Sequence, residues 1–274
     1  MKKKLVFVMT ADGKSEGNRA LAIHFASIKR YSHIFDEAMC VIHEFSSAYE
    51  GEASALSDRF INSSFANETT VVIRKIKDED VPLFTYESEV LYRDVLCDKN
   101  NDGYLIFFAH AKGYTAYESS DYIKPYQLDA WITCLWFANN HFDDFAYSWL
   151  TQKRECACFC GTLYLNVGVI NNYRDHYCGT FYWVNPSTFR TYFDHIEKPS
   201  NRWYAEMVPS KIPIGAIYFP TRYNDIDISK DIYWCIKDTL YNLKGIDAYR
   251  EYLAYLNEET GLDIIDCTIE NGGS

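Results

Sequence analysis

The segment Tyr104-Leu105-Ile106-Phe107-Phe108-Ala109 constrains the fold more than any other part of this chain. The turn Asn101-Asp102-Gly103 leads into it, and the run stops at His110-Ala111-Lys112-Gly113. A strand with one face in water alternates apolar and polar side chains. An unbroken apolar run needs cover on both faces, as in the parallel sheet of an α/β fold. Ligands of open α/β sheets bind beyond the carboxyl ends of such strands. The run therefore sets an imidazole, a cation and a glycine where a fold of this class keeps its chemistry.

The rest of the first half alternates in the same way. Residues 5–10 read as a strand, with the turn Ala11-Asp12-Gly13-Lys14 at its carboxyl end. A helix is predicted over 17–31, with Leu21, Phe25 and Ile28 on one face. A strand entry at 35–42, a helix at 57–65 and a short strand at 69–73 follow. The spacing then predicts a helix over 85–97, with Tyr86, Val90 and Val95 toward the core and Glu87, Glu89 and Arg93 in solvent. This alternation is the signature of a Rossmann-like α/β fold, a mostly parallel central sheet flanked by helices. Beyond Gly113, residues 114–128 read as a Tyr-rich loop over the site. Residues 129–150 read as helix, 156–165 and 181–184 as strands, and 189–196 as a helix capped by Ser187. A late strand at 214–219 precedes helices over 230–243 and 246–257. No internal repeat or low-complexity linker interrupts the chain, so one domain over 1–274 is expected.

Composition limits the function classes. With 274 residues, 48% of them hydrophobic, the chain can bury a sizeable core. A net charge of -11 gives no basic stripe for nucleic acid, although a local cluster of Lys or Arg can still attract a small anion. The 23 Tyr and 6 Trp suit stacking on sugars or bases, yet each ring taken singly reads first as core. No run approaches the ~20 apolar residues of a membrane span. The opening Met1–Thr10 reads as a strand, not a signal peptide. A cytoplasmic protein with reduced thiols is expected from this and from the odd count of nine Cys. Cys156, Cys158 and Cys160 alternate, which predicts three small hydrophobes on one strand face. A zinc site would want a second paired cluster.

Three segments, taken in order, resemble a known family. They are His110-Ala111-Lys112-Gly113, His176-Tyr177-Cys178-Gly179-Thr180-Phe181-Tyr182-Trp183, and Trp203-Tyr204-Ala205-Glu206. Together they resemble the glycosyltransferase-like proteins of surface-polysaccharide gene clusters, distant relatives of the rhamnan-synthesis proteins. Those carry a His-x-Lys-Gly or His-x-Lys element after a buried strand, an aromatic segment like His-x-Ser-Gly-Asn-Phe-Trp-Trp and a downstream Tyr-x-Ala-Glu or Trp-x-x-Glu element. Cys178 and Thr180 depart from the middle pattern. The approach to the second strand, from Ile23-His24-Phe25 through Ile34-Phe35-Asp36-Glu37, also fits, so the likeness covers residues 5–220 on short motifs.

The resemblance implies a GT-A-like domain, a nucleotide-sugar donor and a glycan acceptor. The donor-binding part would lie within 1–115 and the acceptor and catalytic part within 116–274. Thr10, Ala11 and Asp12 would meet the base and ribose, while His110, Lys112, Gly113, His176 and Gly179 would line the donor. GT-A strands of this kind usually end in Asp-x-Asp, which holds a divalent cation on the diphosphate. Here His110-Ala111-Lys112 stands in its place. A lysine ammonium neutralises leaving phosphate charge directly, and an imidazole donates to a phosphate oxygen or binds a metal. Metal-independent and Mn- or Mg-dependent chemistry both stay open. The literal Asp225-Ile226-Asp227 falls too late in the chain and reads, like Asp143-Asp144, as a surface turn. Inverting transfer needs a carboxylate to deprotonate the acceptor hydroxyl. Glu206 fits that slot, and equally fits a helix N-terminal carboxylate. Trp183, Trp203 and Tyr204 would form the acceptor wall, with core packing as the competing role of Trp183. The main alternative is a non-catalytic nucleotide-sugar or glycan-binding protein of the same fold. A nucleotidyltransferase would want a richer glycine loop than Asp12-Gly13-Lys14.

Overall fold

The computed structural model describes residues 1–76, 86–111, 124–153, 155–162, 164–170, 173–177, 179–193, 195, 197–199, 204–213, 216–220, 222–224 and 228–261. The chain forms an α/β fold built on a seven-stranded, mostly parallel sheet flanked by helices. Its first half runs β1 (Lys2–Ala11), α1 (Arg19–Tyr31), β2 (Glu37–Glu44), α2 (Glu50–Ser63), β3 (Glu68–Lys75), α3 (Glu87–Val90) and β4 (Tyr104–His110). The second half runs α4 (Pro125–Asn140), α5 (Asp143–Ser148), β5 (Phe159–Gly161), β6 (Tyr164–Ile170), β7 (Tyr173–Tyr177), β8 (Tyr182–Val184), α6 (Pro186–Phe193), α7 (Tyr204–Met207), β9 (Ile217–Tyr218), β10 (Arg222–Asn224), α8 (Ile228–Lys244) and α9 (Ile246–Thr260). The strand order is β3-β2-β1-β4-β8-β5-β9, so both halves contribute to one sheet. Within it, β8 alone runs against its neighbours β4 and β5. A smaller sheet orders as β10-β6-β7.

The apolar runs are covered on both faces, as their lack of alternation requires. Leu5, Phe7, Met9, Leu105, Phe107 and Ala109 pack into one core with α1, α2, α4, α8 and α9. Val6, Val8, Ile106 and Phe108 pack into the other, with α3, α6 and α7. Helix α4 is enclosed from Leu128 to Asn140, because α8 and α9 form a further layer outside it. Two hydroxyls tie that layer down: Tyr252 donates to Ala130 O at 2.8 Å, and Ser27 Oγ lies 2.7 Å from Tyr255 Oη.

Several local expectations are corrected. The helix expected over 129–150 starts at Pro125 and breaks at His141-Phe142. Asn139 and Asn140 donate back to Leu135 O and Trp136 O, at 2.7 and 2.9 Å, and end the first segment there. The strand expected over 156–165 is two strands in different sheets. Cys158 and Cys160 belong to cores on opposite faces, because β5 begins only at Phe159. Helix α6 is capped by Asn185, whose Oδ1 accepts from Thr188 N at 3.1 Å, and not by Ser187. Pro186 supplies the first helical residue, where a missing N–H does no harm. The loop expected over 114–128 lies mostly outside the described residues, and its end, from Pro125, is helical.

Candidate functional site

The strand order changes direction between β1 and β4. From β1 the chain winds outward through β2 and β3, then returns to place β4 on the other flank of β1. A crevice forms beyond the carboxyl ends at such a point. The end of β1 is Thr10-Ala11-Asp12, and the end of β4 is His110-Ala111. Val8 pairs with His110, and Ala111 N donates to Val8 O at 2.8 Å. These two predicted segments are therefore neighbours. Thr10 and Asp12 are half-buried.

The loop after β1 is pinned by the chain that follows β2. Gly13 N and Ser15 N donate to the two carboxylate oxygens of Glu52, at 2.7 and 2.8 Å. Gly13 has φ +87°, and a Cβ there would sit 2.8 Å from Tyr49 Cε1, so glycine is required on both counts. Beside this loop opens a hollow of about 410 Å³, lined by Gly13, Ser15, Glu52, Leu56 and Arg59.

Around His110 the structure gathers groups that the sequence left apart. Glu87 Oε1 lies 3.5 Å from His110 Nδ1, with both side chains mostly buried. His110 Nε2 is buried and has no hydrogen-bond partner among the described residues. The imidazole edge meets the Phe181 ring, centroids 6.1 Å apart. Glu87 was expected on a solvent-facing helix surface. Tyr86, at φ 45°, turns the chain just ahead of it, and the helix passes into a π-helix at Leu91–Leu96, so the periodicity of a regular helix misplaces this carboxylate. A second strained residue lies ahead of β8. Gly179 and Thr180 have φ of 98° and 58°, and the buried Thr180 Oγ1 has no hydrogen-bond partner among the described residues. A β-branched residue in that region is strained, and such strain collects at functional sites.

His43, near the end of β2, pairs across the ladder with Thr10. Burial lowers its pKa to about 3, the Arg74 and Arg93 cations add to this, and Glu87 opposes it. Glu87 is therefore within electrostatic reach of both imidazoles. Glu206 joins the group through Tyr182. The Tyr182 hydroxyl donates to Ala205 O at 2.6 Å, and Ala205 N donates to Ser88 Oγ at 3.1 Å, which ties α7 to α3. Burial raises the Tyr182 pKa, and Tyr204, Glu206 and Glu87 raise it further. Both carboxylates thus lie near one phenol. Glu206 itself is 7% exposed.

The other predicted residues fall in different places. Trp183 is buried in the core and donates from Nε1 to Asn139 O at 2.9 Å, so it presents no ring face for an acceptor sugar. Tyr204 is buried as well. His176 lies on β7 opposite Leu165, in the smaller sheet. Lys112, Gly113, Trp203 and Asp225-Ile226-Asp227 lie outside the described residues. Asp143 pairs with Lys3 at the amino end of β1, on the rim opposite the crevice. Among the described residues no cluster of three or more His, Cys, Asp and Glu could hold a metal ion, and Glu87 with His110 makes a set of two. No helix among the described residues is long and apolar enough to cross a membrane. Comparison of the chain with protein-family models, curated proteins and solved structures finds no match in any of the three.

Proposed function

We propose that this chain is a glycosyltransferase that moves a sugar from a nucleotide-diphosphate sugar to a hydroxyl of a glycan acceptor, in the synthesis of a surface or capsular polysaccharide. The observation that carries the reading is the reversal of strand order between β1 and β4, with His110 at the end of β4 held by Glu87. In this reading Thr10-Ala11-Asp12 meet the nucleoside. The Glu87 carboxylate orients the imidazole so that Nε2 meets a phosphate oxygen. Lys112, two residues past the strand end, neutralises charge on the leaving diphosphate. Glu206 takes the proton of the attacking hydroxyl as the acceptor oxygen bonds to the anomeric carbon and the diphosphate departs from the opposite face. The described residues offer no donor set that fits a metal ion, so no step runs through one.

The rim also carries Glu44, which is buried beside Ala11, together with Glu52 and Glu87. A second reading is a non-catalytic protein of the same fold that binds a nucleotide sugar or a glycan, and an acidic rim, which opposes a diphosphate, favours its glycan form. Calorimetric titration with UDP-, GDP-, dTDP- and CMP-sugars, with and without Mn2+, tests the first. Binding of one donor, lost in Lys112→Ala and kept in Asp225→Ala, supports the site. Absence of binding to every donor overturns it. Binding without sugar release or transfer assigns the second reading.

A further inference from the structure

The hollow of about 410 Å³ beside the loop after β1 takes its walls from that loop and from α2, not from β4. Ser15 and Glu16 stand on the loop side, and Glu52, Ala55, Leu56 and Arg59 on the helix side. Residues three, four and seven apart share a helix face, so Glu52 and Arg59 stand about 10 Å apart along α2. Leu56 is buried between them. Glu52 is fixed, because each of its oxygens accepts one backbone N–H from the loop. Arg59 is steadied from α1, where its guanidinium carbon stands 4.4 Å from the centroid of the Phe25 ring.

Polar groups of this hollow are left over by the fold. Ser15 is 9% exposed, yet its hydroxyl makes no hydrogen bond among the described residues. Neither Arg59 nor Glu16 has an ion pair among them. Partial desolvation lowers the Arg59 pKa, and no carboxylate raises it. A partly desolvated guanidinium without a counter-ion receives an anion, and its fork meets a carboxylate with two parallel bonds. A phosphate dianion there would stand in the field of Glu52 and Glu16, and a carboxylate carries less charge to repel. The other end calls for donors. Each Glu52 oxygen keeps a lone pair beyond its backbone bond, and the Ser15 hydroxyl both donates and accepts. Between the two ends Leu56 and Ala55 give an apolar floor, which the C–H face of a sugar ring covers. We infer that this hollow binds a sugar acid, whose carboxylate pairs with Arg59 and whose hydroxyls donate to Glu52 and meet Ser15. The inference stands apart from the transferase reading, which gives none of these residues a part in the transfer.

Calorimetric titration of the full chain with glucuronate, with no nucleotide sugar present, tests this. Glucuronate is expected to bind, and glucose, which lacks the carboxylate, is not. Arg59→Gln should weaken glucuronate binding by about tenfold or more and Ser15→Ala by about threefold, with unchanged far-UV circular dichroism spectra. Arg59→Lys keeps the charge without the fork and should weaken binding less than Arg59→Gln. Absence of glucuronate binding at millimolar concentration overturns the inference. So does binding that Arg59→Gln leaves intact, or equal binding of glucose. Tighter binding of glucose 6-phosphate or of glutamate overturns the ligand class, in favour of a phosphate or an amino acid. A failure here leaves the transferase reading standing, and a failure of donor binding leaves this site standing.

Discussion

Glu87 Oε1 stands 3.5 Å from His110 Nδ1, and neither residue reaches the other through neighbouring sequence. The contact exists because the turn at Tyr86 delivers the start of α3 to the carboxyl end of β4. A carboxylate on one ring nitrogen fixes the orientation of the other. Glu87→Gln keeps the shape and removes the charge. On the proposed transferase reading, sugar transfer should fall about 10- to 100-fold, while the thermal midpoint moves little. Steady-state kinetics beside a melting curve checks this, and a variant with full activity removes Glu87 from the site.

His43 makes stability depend on pH. Its pKa is near the ordinary histidine value in the unfolded chain and about 3 in the folded one, chiefly through burial. At neutral pH neither state binds a proton there, and the full stability is present. As the pH falls below about 6.5 the unfolded chain takes up a proton that the folded chain refuses. Stability should then fall by about 1.4 kcal/mol per pH unit from this residue, until the pH reaches its folded pKa. Urea unfolding at several pH values between neutral and mildly acidic reads the slope, and His43→Leu should flatten it by that amount.

Trp183 separates a packing role from an acceptor role. Its indole is buried between Phe35 and Phe107, with ring centroids 5.6 and 5.4 Å away. Trp183→Ala should destabilise the fold by about 3–5 kcal/mol. Chemical denaturation gives the loss. A variant that unfolds like the wild type but binds acceptor poorly would reverse this assignment.

Gly13 is tested in the same way. Gly13→Ala meets both an unfavourable φ and the Tyr49 ring, and should cost about 1–2 kcal/mol. On the proposed reading donor affinity should drop with it, because the loop after β1 would meet the nucleoside. Tyr49→Ala in the same background should restore part of the loss by removing the clash. Denaturation of the single and double variants reports both.

Thiol reactivity follows burial. Cys40, Cys134, Cys158, Cys160 and Cys235 are buried, Cys156 is partly exposed and Cys97 is exposed. Burial pushes the thiols of Cys40, Cys134, Cys158 and Cys160 up, away from the reactive thiolate. Among the cysteines of the described residues, alkylation of the native protein followed by peptide mass mapping should label Cys97 first and Cys156 more slowly. The five buried thiols should label only after unfolding.

The sheet was legible from residue pattern because burial on both faces leaves a run with no polar break, as in Val6-Phe7-Val8 and Leu105 through Ala109. The crevice followed from where those runs stop. Glu87 was not legible. A carboxylate at helical spacing among Glu89 and Arg93 reads as solvated, and only the strained turn at Tyr86 and the π-helix after Val90 turn it inward. The cysteine run misled for a related reason. Period two predicts one face only inside a continuous strand, and β5 starts after Cys158. Asn185 was passed over as a cap because its side-chain bond to Thr188 N is set by the exit from β8, a tertiary fact.

The reversed direction of β8 gives the molecule a polarity of tolerance. In the parallel strands the chain leaves at the crevice. In β8 it arrives there and leaves at the far rim. Exchanges just ahead of Phe181 thus bear on the carboxyl-end rim, whereas the same edits after Val184 strike the buried Asn185 that caps α6 at the opposite end. For anyone re-targeting this protein, the segment that enters β8 is the place to vary, and the segment that leaves it is the place to leave intact.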